Sequence, residues 1–146
     1  MKKRIKGYTL SRTKGARHAL YRTLVRAFMH NGSIETTYTK AKMVQPRIEK
    51  LVQKAKKDDL STRRSVYADL ANNREVTDYL FNVVSKAFTD KKNGYTKLSE
   101  LGVRRGDNAK VVRLEWSVEV PAYVSPEEKK KQEAKEKKSK TKTKKK

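Results

Sequence analysis

The chain has no cysteine. Disulfides, thiolate nucleophiles and cysteine-ligated metal centres are therefore excluded. It has two histidines, His18 and His30, with no Asp or Glu between them, so a histidine-based metal site is not expected. Glycines number six and prolines three, and no Gly-rich phosphate loop or nucleophile–base pair is present. Nothing marks an enzyme, a small-molecule substrate or a cofactor. Apolar runs are short as well. None approaches the roughly 20 residues of a membrane span, and none forms a signal-peptide core. The chain is thus expected to stay on the side of the membrane where it is made. Hydrophobic residues make up 35%, below the roughly 45–50% of an average globular chain, which also counts glycine, so the core should be modest. The most telling lack is of negative charge near the start. The first carboxylate is Glu35, and residues 1–34 carry nine Lys and Arg with no acid.

What is present is positive charge. The 146 residues hold 38 Lys and Arg against 16 Asp and Glu, a formal charge of +22. That excess strains a compact free state and seeks a polyanion. Residues 125–146 hold eleven Lys, four Glu and one hydrophobic residue, Ala134, so this tail is expected to be disordered. Most of the excess lies outside the tail. Three sections are predicted: a basic extended arm over 1–10, one domain over 11–124, and the low-complexity tail.

Periodicity predicts the elements. Ser11 or Thr13 can cap a helix that Asn31-Gly32 ends, with Ala16, Leu20, Leu24, Ala27 and Phe28 as its apolar stripe. A strand follows at about 33–38. Thr39 can cap a second helix with Ala41, Val44, Ile48, Leu51, Val52 and Ala55 inward, kinked or broken at Pro46. A third helix buries Leu60, Tyr67 and Leu70, and a fourth buries Val76, Leu80, Val83, Val84 and Ala87. From Val112 to Val120 apolar residues alternate with polar ones, with residues 95–101 as the hairpin partner. The fold class expected is α+β: a two-layer domain with several helices on one face of a small, mostly antiparallel three-stranded sheet. Trp116 and Phe81 are expected in its core.

The candidate contacts are basic. On the first helix, Arg17, His18, Arg22 and Arg26 follow Arg12 and Lys14, and His18, Arg22 and Arg26 step by four along one face. A helix with a merely solvated face usually mixes charge signs; this one does not. The arm adds Lys2, Lys3, Arg4, Lys6 and Tyr8. Basic arms that order on RNA are a common mode of recognition. Charge reversal at Arg22 or Arg26 is expected to impair assembly with RNA while the domain still folds. A second block holds Lys40, Lys42, Arg47 and Lys50. The first two sit where a helix dipole prefers acids. A third is the pair Arg104 and Arg105, placed at a loop tip, with Asp107 holding the turn or pairing with an arginine. Tyr8, Tyr38 and Tyr95 stand beside basic residues and are placed to stack on bases. The Asn31-Gly32-Ser33 acceptor triplet and the Arg105-Gly106-Asp107 adhesion triplet both need export, so neither is expected to act.

Three stretches together resemble a known family: "ALYRTLVRAF", "IETTYTKAK" followed by Pro46, and "NGYTKLSELGVRRGDNAKVV". Their order and spacing over residues 3–120 are similar to the bacterial large-subunit ribosomal protein family numbered seventeen. The resemblance implies a cytoplasmic structural protein without enzymatic activity. It would bind large-subunit rRNA near the nascent-peptide tunnel exit, beside other ribosomal proteins. It maps the family's arm and first helix onto Lys3, Arg4, Lys6, Arg12, Arg17 and Arg22, and its hairpin arginines onto Arg104 and Arg105. Asn93-Gly94 stands where the family usually has paired glycines, a change the turn tolerates. The resemblance begins almost at residue 1, which argues against a mitochondrial presequence, although the acid-free start looks like one. It assigns no role to the lysine tail, which favours the rival expectation of a histone-like nucleic-acid compactor.

Overall fold

The computed structural model describes residues 7–123. Thr13 opens the first helix, α1 (Lys14–Asn31), with an extended backbone and an Oγ1 that accepts from the Ala16 amide at 3.5 Å. Gly32 closes it in the left-handed region at φ 72°, and its N–H reaches the Phe28 carbonyl at 2.8 Å. The ends lie where the sequence places them, but the buried face is rotated. Tyr21, Val25, Phe28 and Met29 are buried; Leu20, Leu24 and Ala27 are half-buried and Ala16 is exposed. The expected stripe, which left out Tyr21, lies about one position from the buried one, about 100° of helix.

Strand β1 (Ser33–Thr37) runs straight into α2 (Tyr38–Lys57). Thr37, not Thr39, is the N-cap residue, and it makes no side-chain cap bond. The helix continues through Pro46 without a break. Pro46 is exposed, so the hydrogen bond it deletes opens to water, while buried Val44 and Ile48 clamp the helix on either side of it. Helix α3 (Leu60–Asp69) begins with a reciprocal cap between Asp59 and Thr62. Val66 and Leu70, four apart, enter the core; Tyr67 is half-buried. Leu60, expected inward, is 63% exposed, because it lies roughly 100° around the helix from the Val66–Leu70 line.

The fourth predicted helix is present but changes its winding. It starts as α4 (Arg74–Tyr79), capped by Asn73, passes through a π-helical turn at Leu80–Val84 and closes as α5 (Ser85–Ala87). The wider turn lets Val76, Leu80, Phe81 and Val84 all reach the core. Val83 and Ala87 are only partly buried and pack against it.

Strands β2 (Thr96–Val103) and β3 (Lys110–Trp116) form the expected hairpin. The three-stranded sheet has order β1-β3-β2 and is antiparallel throughout. Its register aligns Ile34, Leu114 and Leu98 on the inner face and Glu35, Arg113 and Ser99 on the outer one. Outside, Arg113 pairs with Glu35 at 2.6 Å. The alternation expected to Val120 ends at Trp116. Beyond it the Ser117 amide reaches the Tyr95 carbonyl at 2.9 Å, Val118 is exposed, and Val120 folds back onto the core. Trp116 meets Phe28 at 4.4 Å and Phe88 at 5.5 Å between ring centroids, joining sheet to helices. Tyr95 is no stacking platform. It is buried against Phe88 and donates its hydroxyl proton to the Lys92 carbonyl at 2.5 Å. The two-layer α+β arrangement is the one expected. The tail from 125 and residues 1–6 of the arm lie outside the described residues.

Candidate nucleic-acid interface

Two helical faces converge on one cleft. On α1, Lys14, Arg17, His18 and Tyr21 stand at i, i+3, i+4 and i+7; on α2, Met43, Pro46, Arg47 and Lys50 repeat that spacing. Such positions share a face. Because α1 and α2 both bury the adjacent face in the common core, these two faces border the same space. Lys42 and the segment Gly7–Tyr8–Thr9 complete the walls of a cleft of about 580 Å³. Arg17 ties this segment down, its Nη1 donating to the Tyr8 carbonyl at 3.4 Å. No carboxylate is among the residues that line the cleft.

The cleft is lined by both apolar and cationic side chains. Tyr21 is buried, and the Arg47 guanidinium lies over its ring, 4.6 Å from the centroid. Burial pushes the Tyr21 hydroxyl up to about 12, with the Asp69 carboxylate adding to the rise and Arg47 and Arg22 opposing it. The phenol thus stays neutral over the physiological range. Tyr8 and Tyr38 are exposed, and Lys42 sits over the Tyr38 ring at 5.6 Å.

The arginine row does not stay on this face. Steps of four rotate by about 40° each, so the line from His18 through Arg22 to Arg26 winds away from the cleft toward α3. There Arg22 donates from Nε to the Asp69 carbonyl and from Nη2 to the Ala68 carbonyl, both at 3.3 Å. Arg26 Nη2 donates to the Leu70 carbonyl at 3.1 Å. These carbonyls end α3, where the helix dipole and spare acceptor capacity favour a cation. Both arginines therefore have an internal task that their spacing does not reveal.

Of the other expected contacts, Arg12 and Lys40 lie outside the cleft, and Arg12 donates to the Leu10 carbonyl at 2.8 Å. Arg104 grips Asp107 through Nε at 3.1 Å and Nη2 at 2.5 Å. That grip and the Ala109 amide hold the Asp107 carboxyl down to about 2. Arg105 is exposed on the same turn. Lys2, Lys3, Arg4 and Lys6 fall outside the described residues. The sequence reading missed Tyr21, Met43 and Pro46, although their shared spacing with the cations was there to be seen. Among the described residues, no group of three or more His, Cys, Asp or Glu side chains could hold a metal ion, and no helix is long and apolar enough to cross a membrane.

A family model described as "Ribosomal protein L17" matches residues 20–117. Among similar proteins is the large ribosomal subunit protein bL17 of Clostridium novyi, 43% identical over 99 residues, covering 68% of this chain and 87% of that one. The protein of the same name from Clostridium perfringens is 41% identical over 106 residues, covering 73% and 93%. That of Persephonella marina is 38% identical over 117 residues, covering 80% and 94%.

Proposed function

The chain belongs to the ribosomal protein L17 family, and from that premise we propose that it is built into the large ribosomal subunit through the α1–α2 cleft. It is a structural protein, not an enzyme. In this reading Lys14, Arg17, His18, Lys42 and Arg47 meet rRNA phosphates and bases, the arm with Lys2, Lys3, Arg4, Lys6 and Tyr8 extends the same surface, and Arg104 and Arg105 touch RNA from the hairpin. Neighbouring ribosomal proteins and a place near the tunnel exit, which the resemblance implies, complete the proposal. The observation that carries it is the meeting of two cationic helix faces in a cleft without an acid. Neutralising phosphates there offsets the self-repulsion of a +22 chain. Sucrose-gradient fractionation tests it. The chain should co-migrate with large subunits through a high-salt wash. Loss into the free fraction at moderate salt, or equal partition onto bulk DNA, would favour a general nucleic-acid compactor.

A further inference from the structure

We propose that the cleft between α1 and α2 receives an unpaired RNA base, stacked on the outer face of the Arg47 guanidinium, and not backbone phosphates alone. The inference deepens the reading above and rests on it. A surface meant only for duplex phosphates needs exposed cations; it has no use for a recess lined partly by apolar side chains. Here the lining combines the buried Tyr21 and the apolar Met43 and Pro46 with the cations Lys14, Lys42 and Lys50. That pairing of apolar and cationic groups matches the division of a nucleotide into base and phosphate. The volume, about 580 Å³, lies within the roughly 300–1,000 Å³ of clefts that enclose small ligands.

Arg47 supplies the platform. Its guanidinium carbon lies 4.6 Å from the centroid of the buried Tyr21 ring, and its side chain also hydrogen-bonds that tyrosine, so the group is held in position. Arg47 is itself exposed and has no ion pair among the described residues, so its other face is open. A fixed guanidinium plane is a recognised stacking surface for unpaired bases. Tyr8, 45% exposed at the edge of the same cleft, offers a second ring. A paired base cannot enter, so the occupant must be bulged, looped or flipped out.

The test uses the full chain and three hairpin RNAs identical except at one position: fully paired, carrying a single bulged 2-aminopurine, and carrying an abasic bulge. The bulged RNA should bind about tenfold more tightly than the other two, the scale of one stacked base, and its fluorescence should be quenched. Arg47→Lys keeps the charge but removes the plane. It should abolish the tenfold preference and the quenching. Lys14→Ala should weaken all three RNAs alike and reduce the log–log salt slope by about one contact. Equal binding of the three RNAs by the unaltered chain, with the normal salt slope, would overturn the base pocket and leave RNA binding standing. Absence of salt-dependent binding to any of them would overturn both.

Discussion

Replacing Arg26 with Met keeps the aliphatic stem and removes the donors. In the structure this arginine holds the last carbonyl at the end of α3, while its Nε is buried without a hydrogen-bond partner. A hydrogen bond to a charged group contributes about 1.5–3 kcal/mol, and partial exposure places this one at the lower end. Removing the orphaned Nε recovers part of that, so the expected loss is about 1 kcal/mol. With a urea m-value of about 1.5 kcal/mol/M, the unfolding midpoint should fall by about 0.7 M. Arg22, with two bonds at 3.3 Å, should lose about 1 kcal/mol on the same change. Because both arginines secure one helix end, the double variant should lose less than the sum, by about 0.5 kcal/mol. Lys14→Ala and Arg17→Ala, both in the cleft lining, should stay within about 0.5 kcal/mol of the unaltered protein. The assay is equilibrium urea unfolding of the full chain without RNA, followed by tryptophan fluorescence. If Arg26→Met unfolds at the original midpoint, the assignment of this row to the α3 terminus is refuted, and the row reverts to a free RNA-facing surface.

Three further outcomes follow from other contacts. The Glu49 carboxylate accepts from the Tyr95 and Thr96 amides and from the Thr96 hydroxyl at 2.9–3.2 Å, tying α2 to the start of β2. Glu49→Ala should cost about 2–3 kcal/mol, and Glu49→Gln less because one acceptor remains, as read from denaturant midpoints. Asp107 should titrate near pH 2 by NMR and move back toward about 3.9 in Arg104→Gln. The native-state value is the depressed one, so this pairing adds stability above about pH 4 and loses it as pH falls through 2. Gly32→Ala should destabilise by about 1 kcal/mol in thermal unfolding, from backbone strain at φ 72° alone, because a new Cβ would meet only Trp116 Cδ1, at 3.9 Å.

Local chemistry was legible in the sequence, and long-range geometry was not. Thr13 and Gly32 mark the ends of α1 because capping involves only neighbours. The alternation through Val112, Leu114 and Trp116 shows the face of β3 for the same reason. The sequence could not show that Arg22 and Arg26 meet carbonyls more than forty residues away. Nor could it show that Tyr95 is buried behind Phe88. Pro46 marks a helix breaker by its own chemistry; only the packing of Val44 and Ile48 explains why α2 survives it. The cleft lies between these cases. Each of its two helical faces was readable as a 3.6-residue pattern, but a search for apolar stripes passes over a face that mixes Tyr, Met and Pro with cations.

The central claim is that the α1–α2 cleft faces the rRNA. A density map of the assembled large subunit containing this chain tests it most directly. The account predicts nucleotide atoms within hydrogen-bonding distance of Lys14, Arg17 and Lys42, with Arg22 and Arg26 still bonded to the end of α3. A cleft open to bulk solvent, with RNA lying instead along the outer face of the sheet, would contradict it.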